Sequence, residues 1–223
     1  MTGPDSLRTT RAAFDAVAAD YAATFRDELA GRPLDRALLA AFAELAGGLG
    51  PIADLGCGPG HVTAHLSALG ADAFGVDLSP GMVAVARKAY PGLRFEEGSM
   101  TGLDLPDGGL GGVLAWYSIV NLPIEQLPAV FAEFRRVLLP GGHLLVAFQA
   151  GDDTRHGSEW FGHQISLDLY LRPPERVAGL LAQAGFAVHA QLVREPDGSS
   201  GESGPRAHLL ARSPAVAGSG QTV

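Results

Sequence analysis

The sequence predicts an α/β fold: a doubly wound, mostly parallel sheet with helices on both faces. Three observations carry this. Short apolar strand signals alternate with helical patterns over five rounds from residue 52 to residue 149, the pattern of a parallel sheet wrapped on both sides. Glycine and proline punctuate nearly every junction. The chain then closes on two strand-like runs joined by a polar loop, which predicts an antiparallel ending.

The elements follow in order. Residues 11–29 place Phe14, Val17, Tyr21, Phe25 and Leu29 at spacings of three and four, one apolar stripe on a helix. A second helix starts near Pro33, a residue suited to a first turn. Its expected inner face is Leu34, Leu38, Leu39, Phe42 and Leu45, and "GGLGP" at 47–51 ends it. Strands are expected at 52–55, 72–78, 93–98, 110–118 and 141–149, and helices at 60–69, 80–89 and 124–138. Residues 150–171 read as irregular, with a helix over 173–184. "FAVHAQLVRE" and "RAHLLAR" are the closing strands, joined by "PDGSSGESG". There are no internal repeats. The expected organisation is one domain over 1–213, with 1–48 as an N-terminal helical lid, 150–171 as a substrate-side insertion, and 214–223 as a disordered tail.

Composition narrows the function. The chain has 223 residues, 47% hydrophobic, with 16 basic against 24 acidic side chains and a net charge of −8. No basic cluster stands out, so no nucleic-acid partner is expected. Cys57 is the only cysteine, which excludes an intramolecular disulfide and a cysteine-based metal site. The N-terminus has no apolar core of a signal peptide, and no apolar run is long enough to span a membrane. A cytoplasmic protein, monomer or homodimer, is the expectation.

The chemistry centres on "ADLGCGPG", residues 53–60. Gly56, Gly58 and Gly60 follow the first strand and precede a helix. There glycine allows a sharp turn and close backbone approach by a ligand, outside the carboxyl ends of the strands. Asp77 ends the second strand, 21 residues after Gly56. A carboxylate there can accept from both hydroxyls of a ribose. The spacing is G-x-G-x-G rather than the dinucleotide G-x-G-x-x-G. Asp54, directly ahead of the loop, would repel phosphate but help hold an ammonium. A ligand with an ammonium, a carboxylate and a ribose fits: S-adenosylmethionine.

With these residues in view, the sequence resembles the class I (Rossmann-like) S-adenosylmethionine-dependent methyltransferases of small-molecule type. "ADLGCGPG" is similar to that family's first motif and "GVDLSPGMV" (75–83) to its second. "EEGSM" (96–100) falls at the adenine-contacting motif, "GGVLAWYSIVNLP" (111–123) at the active-site strand, and "RRVLLPGGHLLVAF" (135–148) at the fifth strand. The resemblance covers about residues 11–213. It implies a seven-stranded sheet with an antiparallel last strand and S-adenosyl-L-homocysteine as product. It also implies that Asp54, Gly56 and Gly58 line the methionine moiety, with Cys57 a small packing residue at the cofactor rather than a nucleophile, and that Asp77 holds the ribose. Leu78 and Met82 would pack on the adenine, Gly98, Ser99 and Met100 would flank it, and Ala115 and Trp116 would lie near the sulfonium. Two departures from the family stand out: Ser99 often is Asp there, and Gly111-Gly112 replace a Phe-Asp pair.

Tyr21 has two readings, a cofactor-facing residue of a lid or a member of the helix's apolar stripe. Methyl transfer is an in-line displacement that needs alignment and exclusion of water more than a fixed triad. Tyr117 and Asn121 are the acceptor-side candidates after the fourth strand. His156, Trp160, Phe161 and His163 are those of the 150–171 segment, with His163 as a candidate base. His61 reads as a first-turn residue at the cofactor. Asp152-Asp153 has no acid to pair with at the fourth-strand tip, so no metal is expected. The expected function is methyl transfer to O, N or C of a small molecule. The alternative is a non-methylating reaction on the same cofactor, such as cyclisation, rearrangement or decarboxylation. A nicotinamide oxidoreductase is disfavoured by the glycine spacing.

Overall fold

A computed structural model describes residues 3–196 and 202–215. The centre of the "PDGSSGESG" loop and most of the expected tail, from residue 216 onward, lie outside the described residues. The strands are β1 (Ile52–Leu55), β2 (Ala73–Asp77), β3 (Phe95–Glu97), β4 (Leu110–Trp116), β5 (Leu138–Gln149), β6 (Thr154–Trp160), β7 (His163–Tyr170), β8 (Ala187–Arg194) and β9 (Arg206–Arg212). The helices are α1 (Gly3–Phe25), α2 (Pro33–Gly47), α3 (His61–Ala68), α4 (Pro80–Ala89), α5 (Leu127–Val137) and α6 (Pro174–Gln183).

Seven strands form one sheet in the order β3-β2-β1-β4-β5-β9-β8. β1 to β5 are mutually parallel, and β9 inserts antiparallel between β5 and β8. The order reverses between β1, which leads outward to β2 and β3, and β4, which leads to β5. That switch is where an α/β sheet opens a crevice at its strand ends. The seven strands, the parallel run and the antiparallel last strand are as the sequence predicts.

Alternation along β4 divides the core. Val113 and Ala115 join α5 residues Val130, Phe131 and Phe134 and α6 residues Val177 and Leu181 on one face. Leu114 and Trp116 join α2 and α3 residues Leu39, Phe42, Val62 and Leu66 on the other. Ser79 caps α4 by accepting from the Met82 amide at 3.0 Å, and Pro80 fills the first turn.

Three expectations are corrected. The inner face of α2 is Asp35, Leu39, Phe42, Ala43 and Ala46, while Leu34 is 52% and Leu45 44% exposed. The helix is rotated so that small residues meet the sheet. A Cβ on Gly111 would stand 2.6 Å from the Ala46 carbonyl, and one on Gly112 2.7 Å from the Ala46 Cβ. The Gly111-Gly112 departure thus lets α2 approach β4 closely. Leu29, placed on the first helix by its spacing, sits instead in a separate 3₁₀ turn, Glu28–Gly31.

The third correction concerns residues 150–171, which are not irregular. β6 and β7 form an antiparallel hairpin, Trp160 opposite His163 and Thr154 opposite Tyr170. The turn is Phe161-Gly162, both left-handed (φ +51° and +79°), as a two-residue hairpin requires. A bulky aromatic in place of the usual Asn or Asp, and a mostly polar β6, hid the signal. Only Ile165, Leu167 and Leu169 of β7 show the period of two. The hairpin packs on α1, which also packs on α4. No helix among the described residues is long and apolar enough to cross a membrane.

Candidate functional site

A cleft opens at the carboxyl ends of β1, β2 and β4. Its lining brings together Tyr21, Gly56, Gly58, Asp77, Leu78, Met82, Gly98, Ser99, Met100, Trp116 and Tyr117. The empty volume is about 760 Å³, part of it open to solvent, within the range of small-molecule sites. A side pocket joins Asp54, Cys57 and His61 to Gly56, Gly58 and Tyr21.

The glycine loop is shaped by its contacts. Gly56, Gly58 and Gly60 all have left-handed φ (+76°, +53° and +83°). A Cβ on Gly56 would lie 2.3 Å from the Ser118 Cβ, and one on Gly60 2.6 Å from the Phe95 ring. Gly58 differs: a Cβ there meets nothing within 4 Å, so its bare backbone faces open cleft.

Asp77 ends β2 facing that loop. Its Oδ2 accepts from the Gly58 amide at 2.8 Å and its Oδ1 from the Ser79 amide at 2.8 Å. Each oxygen keeps a lone pair for a ligand. Burial pushes the Asp77 carboxyl above its usual range, partly opposed by those two amides.

Asp54 is buried at the end of β1. Oδ2 accepts from the Thr63 hydroxyl at 2.7 Å, but Oδ1 is buried with no hydrogen-bond partner. Burial raises this carboxyl to about 6. Such a group calls for a cationic donor.

Serine at position 99 is engaged locally: its hydroxyl lies 2.7 Å from the Thr101 hydroxyl and accepts from the Thr101 amide at 3.2 Å. Tyr117 follows β4 with φ +53°, a left-handed residue that costs about 1–2 kcal/mol for a non-glycine. It lines the cleft, the side pocket and a larger chamber beyond. Its hydroxyl is 3.4 Å from Nε2 of buried His208, and burial pushes the phenol up. Asn121 lines the cleft too, its amide donating to the Asp168 carbonyl at 2.9 Å.

Two expected site residues are placed otherwise. Ala115 is fully buried among α5 and α6 residues and is not part of the lining of the cleft, side pocket or larger chamber, because alternation turns it away from Trp116. His163 lies on the outer hairpin, 3.0 Å from Asp20 of α1, outside the cleft lining. Cys57, by contrast, is the small packing residue the sequence suggests: it packs with Val83, Ala86 and Phe95 and borders the side pocket. His156 is tied to Asp168 at 2.7 Å and lines the larger chamber beyond the cleft. Sequence reasoning missed Leu7, Thr10 and Phe14 of α1 and Ser118 after β4, all in the cleft lining. It also missed Glu28, whose carboxylate is 3.6 Å from His61 in the side pocket. Phe14 carried a signal as part of the α1 stripe; the others have none in a single sequence.

Comparison with known proteins follows the same lines. Residues 52–142 match the family described as "Methyltransferase domain". The demethylmenaquinone methyltransferase of Chlorobaculum parvum is 39% identical over 92 residues, 41% of this chain and 37% of that protein. The trans-aconitate 2-methyltransferase of Rhizobium meliloti is 37% identical over 134 residues, 58% of this chain and 48% of that protein. The chain thus spans less than half the length of these curated relatives. Among solved structures, the 1,6-didemethyltoxoflavin-N1-methyltransferase of Burkholderia thailandensis, with its substrate and S-adenosylhomocysteine bound, superposes with TM-score 0.72. It is 22% identical, covering 96% of this chain and 92% of that one. The strand order with its antiparallel β9, the glycine loop after β1 and the matched segment point the same way: residues 52–142 are similar to a methyltransferase domain, and the whole fold is similar to that of solved methyltransferases.

Proposed function

We propose that this protein transfers a methyl group from S-adenosylmethionine to O, N or C of a small molecule. The observation that carries the reading is the pairing of Asp77 with the open backbone of Gly58 across one cleft. The residues present fit the cofactor. The lone pairs left on Asp77 suit a ribose diol, and the unpartnered Oδ1 of Asp54 suits an ammonium. Leu78, Met82 and Met100 offer apolar cover for an adenine.

When bound, the cofactor would supply an electrophilic methyl on a sulfonium leaving group. The chain's own task is to bind, orient and exclude water. Trp116 and Tyr117 wall the end of the cleft beyond the glycine loop, with the Tyr117 hydroxyl directed to buried His208. α1 lines the cleft through Leu7, Thr10, Phe14 and Tyr21, so we read α1 as the lid and Tyr21 as one of its cleft-facing residues; α2, the rest of the 1–48 segment, packs on the sheet instead. Small-molecule substrates, a cytoplasmic location and a monomeric or homodimeric state belong to this proposal. Calorimetric titration with S-adenosylhomocysteine tests it: saturable binding is expected, and none at millimolar ligand refutes it.

Two further outcomes follow. The Asp54 carboxyl must be ionised to hold an ammonium, and without ligand it protonates near pH 6. Ligand binding therefore releases a proton below that pH, and affinity should rise between pH 5 and pH 7. Asp54→Asn should bind weakly with a flat profile over that range; an unchanged slope would exclude Asp54 as the cause. The lid is anchored by Asp15, whose Oδ1 accepts from the Ser79 hydroxyl at 2.6 Å and the Gly81 amide at 2.9 Å. Asp15→Ala should weaken cofactor binding about 5- to 10-fold, the loss of one such anchor. Equal affinity in wild type and variant would make α1 a scaffold only.

A further inference from the structure

The chamber beyond the cleft shares Phe14, Tyr21, Tyr117 and Asn121 with it. Its remaining walls come from the β6–β7 hairpin, the 3₁₀ turn before α2 and the ends of β5 and β9, so it is built largely by segments outside the parallel strands. One wall is aromatic. The Trp160 ring meets Phe14 edge-on at 6.1 Å and Tyr21 edge-on at 5.3 Å, and Tyr21 lies 4.4 Å from Phe25. The alternate residues of β7, Ile165, Leu167 and Leu169, extend the apolar lining.

The charges of the chamber are matched within the protein. Glu28, Glu159 and Glu202 stand against Arg32, Arg155 and Arg206 in its lining. Each guanidinium already has a carboxylate within reach: Arg32 that of Glu28 at 3.1 Å, Arg155 that of Asp153 at 4.0 Å, and Arg206 that of Glu202 at 3.6 Å. A polyanionic ligand would have to displace these pairs. Among the described residues, one buried polar atom of the lining is left over. Gln149, the last residue of β5, has its Oε1 buried without a hydrogen-bond partner and lines the chamber. Such an acceptor asks for an N–H or O–H donor.

We propose that this chamber is the acceptor site and that its substrate is a flat, uncharged, unsaturated ring compound donating an N–H or O–H to Gln149. The inference rests on the methyltransferase reading. Flatness follows from the edge-to-face aromatic wall, which offers ring faces and edges for stacking. Neutrality follows from the matched charges, since a desolvated extra anion would be left unpaired. The donor follows from Gln149. Tyr117, held in a strained backbone where cleft and chamber meet, sets the boundary between the two ligands.

The test uses the whole protein with S-adenosylhomocysteine present, and lumazine as probe, an uncharged bicycle with ring N–H groups. Trans-aconitate is the polyanionic comparison. Lumazine should bind saturably by calorimetry and quench tryptophan fluorescence, and trans-aconitate should do neither. Gln149→Leu and Trp160→Ala should each weaken lumazine about tenfold, with S-adenosylhomocysteine affinity near wild type showing that the variants fold. Saturable trans-aconitate binding without lumazine binding overturns the proposal, as does lumazine affinity indifferent to both substitutions. If S-adenosylhomocysteine binds normally and lumazine does not, this inference alone falls. If S-adenosylhomocysteine itself does not bind, the methyltransferase reading falls and takes this one with it.

Discussion

Replacing Glu202 by alanine is expected to cost about 3–5 kcal/mol of folding stability, the range for breaking a buried ion pair by removing one partner. The Glu202 side chain is nearly inaccessible and faces three guanidiniums. It accepts from Arg194 Nη1 at 2.6 Å and Nη2 at 2.7 Å, from Arg32, and lies 3.6 Å from Arg206 Nε. Asp35 adds a second buried carboxylate, 3.4 Å from Arg194 Nε. Removing Glu202 leaves Asp35 to balance Arg194 and strands Arg206 against the chamber. The cluster ties the start of α2 to β8 and to the approach to β9, so the loss is felt across the sheet edge. For a chain of this size the midpoint of thermal unfolding should fall by about 6–20 °C. Glu202→Gln, which keeps the shape and half the acceptor capacity, should fall less. A melting curve of Glu202→Ala that overlays the wild type would show that the cluster holds nothing together.

Asp77→Ala is expected to lower S-adenosylhomocysteine affinity by about 10- to 150-fold. That corresponds to losing a charge-assisted interaction of roughly 1.5–3 kcal/mol. The side chain acts twice. It fixes the glycine loop by accepting from the Gly58 amide and fixes the start of α4 by accepting from the Ser79 amide. Its remaining lone pairs face the cleft. Alanine removes both functions, so the loop amide is left without its partner while the ligand loses its anchor. Calorimetry decides the matter: wild-type affinity in a folded Asp77→Ala protein would remove Asp77 from the cofactor site.

Much of the frame was legible because local rules and the fold agree. Ile52–Leu55 and Pro80–Ala89 begin and end where apolar runs, prolines and glycines say they should. The glycine loop and Asp77 were legible because backbone clearance and a strand-end carboxylate are local requirements. What misled was orientation. Spacing placed Leu34 and Leu45 inward on α2, but the closeness of Ala46 to Gly111 and Gly112 turns the helix to another face. The hairpin at 154–170 was missed because β6 has little apolar content and Phe161 occupies a position usually held by Asn or Asp. His163 and Ala115 drew attention by residue type and motif position. Pairing with Asp20 and strand alternation then set them apart from the cleft.

By itself the sequence determined the parallel sheet with its antiparallel close, the turn that bares Gly56 and Gly58, and the acid that faces them. These are encoded in contiguous residues, through periodicity and the conformational range of glycine. Only the tertiary structure decided which side chains meet across the chain: Glu202 with Arg32 and Arg194, Tyr117 with His208, Phe14 and Tyr21 with Trp160. Those contacts join segments up to 170 residues apart, and no local pattern records which distant surfaces will be pressed together when the apolar faces are buried.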